Sequence, residues 1–491
     1  MKKIFTTICF LLTITIFSQE KISLQQEISL EEAITIAQKN SPDYKALLNE
    51  NQASYWRYRR FKAGFLPQLR FDATLPQYRN SVNRITLDDG SDGFRRTNQI
   101  RFDGTLSLNQ NIALTGGTVS ISSQFERVDV SEPFEATNFA VIPFSLNYRQ
   151  GSLFYNDFKW QKRIEPLIYE EAKREFIETM EQISFNTSRR YFALLKAQIQ
   201  SKIAKSNYSN QDTLFQISKG RFKMGKIAEN DLLQIELSVL NSENDVITNE
   251  INFKRSSQNL SRYLVLDTED ILLATPEELT LFTVTVEKAL EEAKANRKAV
   301  IEFRRRRLQA ERDVAEVRGS NRVQMSLTAN FGISQQGNEF NNLFQDYNQQ
   351  QNVMLSLGIP ILDWGVSKSR RKLVEANKDL VNTNIEIQEQ EFEQEIYLHV
   401  LNWQNQRNFL NTAKKAQEIA LKRYEIAKKR FVLGKISITD LNIALQEQDR
   451  SVLQYLNSLE KFWTDYYILR QLTLFDFIKN KKIEVADIIY D

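Results

Sequence analysis

Two very long stretches without a helix breaker constrain the fold of this chain more than any other feature. Residues 166–224 and residues from about 366 to 433 keep a helical pattern, and in the second stretch apolar side chains recur at spacings of three, four or seven. A helix of about 65 residues spans on the order of 100 Å, whereas helices of globular proteins rarely exceed about 25 residues. The pattern therefore predicts long helices that pack as in a coiled coil.

Each long stretch ends in the same short motif. Residues 221–232 read RFKMGKIAENDL and residues 430–441 read RFVLGKISITDL, at an offset of 209. The glycines Gly225 and Gly434 suit the left-handed conformation that ends many helices, and a shorter helical pattern follows each one. The motif therefore predicts two helical hairpins with tips near Gly225 and Gly434.

Local structure explains much of this motif. Lys226 and Lys435 complement the negative ends of the preceding helices, and Asp231 and Asp440 fall in the first turn of the next helices, where the helix dipole favours a carboxylate. Residues 437–440 read SITD, which also fits the spacing of a capping box. A well-formed turn is thus one reason for these residues, and a docking function shared by both tips is the other.

The motif belongs to a longer internal repeat. Residues 143–148 match residues 354–359 at an offset of 211, and residues 31–40 match residues 287–296 at an offset of 256. Similarity that keeps its order along both halves indicates a tandem duplication. The resulting division is residues 19–266 for the first repeat, 267–480 for the second and 481–491 for a C-terminal tail.

Each repeat also contains segments that alternate between apolar and polar residues. Residues 65–75 (FLPQLRFDATL) and 323–333 (VQMSLTANFGI) show the period of a strand with one apolar face. The first repeat has an additional alternating hairpin at residues 99–128, with a tight turn at LTGG. Polar stretches at residues 80–98 and 335–351 predict long loops at the other end of the strands. This arrangement is typical of a transmembrane β-barrel.

The N-terminus indicates export. Residues 1–18 combine Lys2 and Lys3 with an apolar stretch and a small residue, as in a secretory signal peptide. No later segment approaches about 18 consecutive apolar residues, so no transmembrane helix is predicted. The whole chain has a formal charge of +3, and without the two lysines it is close to neutral, so no binding to nucleic acid is expected.

Residues suited to catalysis or metal binding are sparse. Cys9 is the only cysteine and lies in the predicted signal peptide, and His399 is the only histidine. The sequence contains no GxSxG, Walker or HExxH motif. The basic run at residues 304–307 predicts a solvated helix face. We predict that the protein is not an enzyme and uses no cofactor or metal ion.

With these features the chain resembles the outer membrane efflux protein family, the TolC-like outer membrane factors. The resemblance rests on the opening SLEEAITIAQKNSPDYKALLNENQ, the GFLPQL transition from helix to strand, and the duplicated RFxxGKIxxxDL. It implies an α+β membrane protein that forms a homotrimer. Strands from all protomers would close one outer-membrane β-barrel in contact with lipid, and the helices would continue it as a long α-helical barrel in the periplasm.

The resemblance also implies a function, that of a passive export duct in a tripartite efflux or type I secretion system. A periplasmic adaptor protein and an inner-membrane RND or ABC transporter would dock at the far end of the helices. The residues assigned to adaptor contact at the two tips are Arg221, Phe222, Gly225, Lys226, Ile227, Arg430, Phe431, Gly434, Lys435 and Ile436. The candidates for a closed periplasmic gate are Asp231 and Asp440, with Arg221 and Arg430 as the arginines that would pair with them.

Two questions stay open from the sequence. Three copies of four strands give twelve strands, as in the family, whereas three copies of six, counting the hairpin at residues 99–128, give eighteen. A periplasmic coiled-coil scaffold without a pore explains the long helices but not the alternating strands. Aromatic residues near the strand ends suit an interfacial girdle or ordinary packing: Phe65, Tyr78, Tyr148, Phe154, Tyr155, Trp160 and Trp364.

Overall fold

A computed structural model describes residues 27–86, 90–132, 135–268, 271–277, 282–321 and 323–484. The predicted signal peptide and residues 485–491 of the predicted tail lie outside these ranges. The described chain combines long helices with a six-stranded sheet and a short two-stranded one (Phe475–Asp476 and Lys481–Lys482), so the mixed helix and strand fold is confirmed. Among the described helices, none has a stretch long and apolar enough to cross a membrane.

The chain divides into two compact units. The first, here called the tip unit, comprises Met1–Pro42, Ile183–Leu279 and Asn408–Thr464. The second, here called the sheet unit, comprises Asp43–Gln182, Thr280–Arg407 and Asp465–Asp491.

The helices of the two halves correspond in order and length. Helices α1 and α5 each have 11 residues, α2 and α6 have 22 and 23, α3 and α7 each have 67, and α4 and α8 each have 36. The first half contains α1 (Leu30–Asn40), α2 (Pro42–Ala63), α3 (Asp157–Lys223) and α4 (Glu229–Leu264). The second half contains α5 (Val286–Asn296), α6 (Lys298–Ser320), α7 (Val366–Val432) and α8 (Ile438–Thr473).

Two prolines lie near the starts of helices in the first half. Helices α1 and α2 are separate because the chain is extended at Ser41, immediately before Pro42. A residue before proline disfavours the helical conformation. Helix α3 begins at Asp157 instead of Pro166, so that Pro166 lies inside the helix and not at its first position.

The first six strands form one antiparallel sheet in the order in which they occur along the chain. Strands β1 (Gln68–Thr86), β2 (Asp92–Ile112), β3 (Gly117–Glu132) and β4 (Ala136–Gln150) come from the first half, and β5 (Gln324–Gly337) and β6 (Asn348–Gly358) come from the second. The hairpin predicted at residues 99–128 corresponds to β2 and β3. It lies between β1 and β4 and pairs with both.

The first of the two predicted long polar loops is largely strand. Residues 80–86 and 92–98 pair with each other as the distal part of β1 and β2. In the second half, β5 extends to Gly337 and β6 begins at Asn348, with a short 3-10 helix (Phe340–Phe344) between them. The prediction of a long loop was wrong at residues 80–98, because backbone pairing continues there after the apolar alternation stops, whereas residues 338–347 do form a connection outside the strands.

The core of the tip unit forms around Tyr191 in α3. Its side chain is fully buried, and its hydroxyl lies 2.8 Å from the carbonyl oxygen of Ile28 and 2.5 Å from that of Ala274. Ile28 pairs with Leu273 in an isolated parallel bridge. Other apolar side chains of the tip unit are also completely or almost completely buried: Phe192, Leu194, Leu195, Leu260, Leu264, Ile271 and Leu273.

In the sheet unit, arginines hold the helices together. Arg470 of α8 makes a two-pronged ion pair with Glu181 of α3, with both N–O distances 2.8 Å, and a third contact of 2.8 Å with Asp476. Such paired geometry is strong when both partners are partly buried. The basic run at residues 304–307 is not simply a solvated face, since Arg305 pairs with Glu171 of α3 at 2.6 Å and Arg307 pairs with Glu389 of α7 at 2.9 Å.

Candidate docking tips

The first tip joins α3 to α4 through a tight turn at Gly225. This glycine has a φ of 68°, the left-handed conformation in which a side chain is unfavourable. The backbone N–H of Lys226 donates to the carbonyl of Arg221 at 2.9 Å, and that of Gly225 donates to Phe222 at 2.8 Å. These two bonds satisfy carbonyls at the end of α3, as in a Schellman motif.

The second tip, between α7 and α8, has the same backbone geometry. Gly434 has a φ of 72°. Lys435 donates to Arg430 at 2.9 Å, and Gly434 donates to Phe431 at 2.9 Å. The repeated motif therefore forms the same turn twice.

The two tips contact each other within the tip unit. The guanidinium of Arg221 donates to the carbonyl of Phe431 at 3.2 Å and also to the carbonyl of Val432. It lies 5.9 Å from the centre of the Phe431 ring. Arg221 thus neutralises the carbonyl end of α7, which is unsatisfied within the helix. These contacts connect the first tip to the second and differ from the predicted pairing of Arg221 with an aspartate.

An apolar cluster supports both tips. It contains buried residues of all four helices and is extended by Phe215, Ala427, Ile436 and Leu445. Its buried members are Leu214, Ile235, Tyr424, Phe431, Ile438, Leu441 and Ala444. Toward the turns, side chains from both tips line a cavity of about 560 Å³, among them Arg221, Met224, Lys226, Ile227, Asp231, Leu433 and Ile436.

Equivalent aromatic residues of the two motifs have different environments. Phe431 is 7% exposed and belongs to the cluster, whereas Phe222 is 38% exposed. Lys226 and Lys435 are both exposed at the turns. Among the predicted contact residues Phe431 is buried, and Arg221, Ile227 and Ile436 are half-buried. The remaining ones are exposed: Phe222, Gly225, Lys226, Arg430, Gly434 and Lys435.

The two gate candidates also differ. Asp440 lies at the start of α8 and forms the predicted capping box: its carboxylate accepts from the Ser437 hydroxyl at 2.8 Å and from the Ser437 backbone N–H at 3.2 Å, and its own N–H donates back to Ser437 at 3.1 Å. The bond from the Ser437 hydroxyl, helped by the backbone bond and the nearby charge of Arg430, holds the pKa of Asp440 below its usual range. At the first tip, Ala228 takes the place of Ser437 and provides no side-chain cap for α4.

The histidine singled out in the sequence lies in α7 and contacts the backbone of α8. Nε2 of His399 lies 2.8 Å from the carbonyl oxygen of Asp465. Across the residues that the structure describes, no group of three or more histidine, cysteine, aspartate or glutamate side chains is arranged to hold a metal ion. The contact of Arg221 with α7 had no signal in the sequence, because it joins segments about 210 residues apart.

The sequence of the second half matches a known family. Residues 289–473 match the model of the outer membrane efflux protein family. None of the curated proteins compared with the chain matches it.

Solved outer-membrane channels share the fold of almost the whole chain. The CmeC outer membrane channel of Campylobacter jejuni is 16% identical, with a TM-score of 0.66 over 93% of this chain and 87% of that one. The outer membrane protein VceC of Vibrio cholerae is 14% identical, with a TM-score of 0.63 over 93% and 97%. The open MtrE outer membrane channel of Neisseria gonorrhoeae is 11% identical, with a TM-score of 0.60 over 90% and 88%. At these identities the likeness establishes the fold.

The family match over residues 289–473 and the shared fold together confirm the resemblance of this chain to the outer membrane efflux protein family.

Proposed function

We propose that this protein is the outer-membrane duct of a tripartite export system. Three copies share one β-barrel in the outer membrane, and their helices continue the passage into the periplasm. The protein performs no chemistry, so the energy for transport comes from an inner-membrane RND or ABC transporter. A periplasmic adaptor connects that transporter to the helical tips. The duct serves efflux or type I secretion.

The main support is an apolar face that continues across all six strands. Paired residues align one apolar row through five strands, namely Leu69, Leu108, Ile121, Leu146 and Phe331. In β6, Val353 and Leu355 continue this face opposite Ala329 and Leu327. The other face carries a row of polar residues through all six strands: Gln68, Asn109, Ser120, Asn147, Asn330 and Asn352. An apolar exterior and a polar interior are the two faces of a membrane barrel with an aqueous lumen.

The edges of the sheet support assembly from several copies. Strands β1 and β6 each pair on one side only, and every residue of β6 is exposed. An open sheet edge is not tolerated in the hydrocarbon region of a membrane. Because an even number of strands in sequence order leaves β1 and β6 antiparallel, β6 of one copy can pair with β1 of the next.

The pairing of the additional hairpin favours eighteen strands over twelve. Strands β2 and β3 lie in the middle of the sheet and share its apolar face, so they enter the membrane with the rest. Three such sheets give eighteen strands, a size at which known barrels leave an aqueous channel. Just beyond the ends of β4 and β6, the exposed side chains of Phe154 and Trp364 suit an aromatic girdle at the lipid interface. Tyr78, which was also predicted near a strand end, instead lies in the middle of β1.

Single-channel conductance tests this function. The protein extracted in detergent and inserted into a planar bilayer is expected to conduct, and its cross-linked mass is expected to be that of a trimer. A monomer that extracts without detergent and never conducts would favour the periplasmic scaffold instead.

The gate is tested with Asp231→Ala and Asp440→Ala combined. If these carboxylates keep the periplasmic mouth closed, the double variant should open more often than the unmodified trimer. Ser437→Ala is the matched control, because it removes the cap of α8 and keeps the carboxylate of Asp440. Unchanged conductance of the double variant would exclude Asp231 and Asp440 as the gate.

A further inference from the structure

A cavity lies in the sheet unit where β4 ends and β5 begins. Its volume is about 880 Å³, within the range of about 300–1,000 Å³ in which proteins bind small molecules. The lining comes from the start of α3, the end of α6 and the early part of α7, and from the two segments that lead out of β4 and into β5. All the residues that line it belong to the sheet unit. The cavity is therefore separate from the helical tips described above.

One copy of the chain forms all the walls of this cavity. Helix α6 pairs with α3 through Arg305 and with α7 through Arg318, whose Nη2 lies 3.3 Å from Oε1 of Glu375. The end of α6 also lies close to the segment after β4, since a Cβ added to Gly319 would lie 2.8 Å from the carbonyl oxygen of Phe154. Because α6 has helices of its own copy on both sides, the cavity does not require a neighbouring copy.

Part of the lining is apolar and continues the apolar face of the sheet. Val323 precedes β5 and extends the alternation that places Met325 and Leu327 on that face, opposite leucines of β6. Trp160 is half-buried, and Phe154 is 56% exposed. Since the proposed duct places this face of the sheet in lipid, the cavity opens at the membrane interface, where aromatic side chains meet the headgroups.

The rest of the lining carries charges of both signs. It contains three carboxylates and two cations: Glu311, Glu375, Asp379, Arg318 and Lys378. Arg318 is paired with Glu375. In the part of the chain that the structure describes, the side chains of Glu311, Lys378 and Asp379 have no ion-pair or hydrogen-bond partner. The cavity thus offers one unpaired cation and two unpaired carboxylates beside an apolar surface.

We propose that this cavity binds the headgroup of an aminophospholipid, a lipid that carries a phosphate and a primary ammonium group. The inference rests on the proposed duct, which brings the cavity to the lipid interface. Arg318 and Lys378 donate to the phosphate, for which a guanidinium is well suited. The ammonium group donates to Asp379 and Glu311. The acyl chains leave the cavity along Phe154 toward the apolar face of the sheet.

The charges of the lining distinguish this headgroup from other common ones. Phosphatidylglycerol has no positive group to offer the two unpaired carboxylates. The quaternary ammonium of phosphatidylcholine cannot donate a hydrogen bond to them. Phosphatidylethanolamine supplies three N–H donors to the carboxylates and a phosphate to Lys378 and Arg318. Because hydrogen bonds between charged groups are stronger than neutral ones, this lipid should be preferred.

Quenching of Trp160 by brominated lipids tests the site. The trimer is reconstituted in phosphatidylcholine vesicles with increasing fractions of brominated-chain phosphatidylethanolamine, phosphatidylglycerol or phosphatidylcholine. The Trp160 signal is the difference between the unmodified protein and Trp160→Phe. Half of its quenching should need about a tenfold lower mole fraction of phosphatidylethanolamine than of the other two, as expected for a hydrogen bond to a charged group. Trp364, isolated in the same way, is 89% exposed outside the cavity and should be quenched equally by all three lipids.

Two double variants separate the cavity from the general lipid surface. Asp379→Asn combined with Glu311→Gln should abolish the preference of Trp160 for phosphatidylethanolamine and leave the quenching of the control tryptophan unchanged. Glu418→Gln combined with Glu425→Gln is the matched control, because it removes two exposed carboxylates of α7 in the tip unit. This second variant should leave both signals unchanged.

The outcomes distinguish the headgroup site from the duct. Equal quenching of Trp160 by the three lipids, or a preference that survives the loss of both carboxylates, would overturn the headgroup site while leaving a conducting trimer in place. A preference for phosphatidylglycerol would show that the cavity selects anionic lipid and would also overturn it. A protein that neither inserts into vesicles nor conducts would overturn the duct, on which the inference rests.

Discussion

The two helical tips have nearly the same sequence and the same turn, yet their surroundings differ. Gly225 and Gly434 adopt the same left-handed conformation, and an equivalent pair of backbone hydrogen bonds closes each turn. Phe431, however, is buried in the cluster that both hairpins share, whereas Phe222 is largely open to solvent. A short motif thus determines the turn, while the neighbouring hairpin determines what each side chain of the motif does.

The first and largest expected effect separates the two phenylalanines. Phe431→Ala should lower the free energy of unfolding by about 3 kcal/mol or more, because it empties a well-packed site. Phe222→Ala should change it by about 0.5 kcal/mol, as expected for a surface position. Denaturant unfolding of the extracted protein measures both, with Phe→Leu at each position as control. Equal losses would show that the two tips are equivalent in solution.

The second prediction concerns the two turn glycines. Gly225→Ala and Gly434→Ala should each lower the free energy of unfolding by about 1–2 kcal/mol, because an alanine is strained in the left-handed conformation. Backbone strain is the whole cost, since an added Cβ meets nothing within 4 Å at either site. Gly220→Ala is the control: this glycine lies in α3 without a positive φ and with open space around its Cβ. That variant should gain about 0.5–1 kcal/mol in the same unfolding experiment. Clearly unequal costs at the two turns would contradict their shared geometry.

Helix capping provides the third test of the difference between the tips. Ser437→Ala should lower the free energy of unfolding by about 1 kcal/mol at neutral pH. Ala228→Ser should raise it by part of that amount, because it offers α4 at the first tip the cap that it lacks. The pKa of Asp440 is lower in the folded protein than in the unfolded one, so its contribution is present above its unfolded pKa and disappears as the pH falls through its folded pKa. The difference between Ser437→Ala and the unmodified protein should therefore shrink in acid. A difference that stays constant down to strongly acidic pH would show that the Asp440 carboxylate takes no part in the cap.

The smallest expected effect is at Asp449, which occupies the position in the second hairpin that Leu240 has in the first. Burial raises the pKa of Asp449, although Asn207 donates a hydrogen bond to its carboxylate. The pKa of Asp449 is higher in the folded protein than in the unfolded one. At a pH above the folded pKa its charged carboxylate therefore destabilises the fold, and this destabilisation disappears as the pH falls through the folded pKa. Asp449→Asn should raise the free energy of unfolding by less than about 1 kcal/mol at neutral pH and leave it unchanged in acid. A loss of stability at neutral pH would contradict this account, as measured by unfolding over a pH series.

The helical hairpins were predictable because their signals are local. Residues 366–432 contain neither glycine nor proline, and they form the single helix α7 within one residue of the predicted range. The SITD capping box also formed as its spacing indicated. In these cases the interacting groups are neighbours in the sequence, so the pattern contains the necessary information.

The parts that were not predictable depend on contacts between distant segments. The contact of Arg221 with the carbonyl of Phe431, and the burial of that phenylalanine but not of Phe222, arise only when two hairpins meet. The distal ends of β1 and β2 have no apolar alternation, and only their pairing makes them strands. The basic run at residues 304–307 had no sequence signal for its carboxylate partners on α3 and α7.

Electron cryomicroscopy of the detergent-extracted protein tests the central claim most directly, since it shows how many copies close one barrel and which edges meet. The account predicts three copies around one axis and eighteen strands, with β6 of each copy beside β1 of the next. Separate monomers, or a sheet whose two edges stay unpaired outside a membrane, would contradict it.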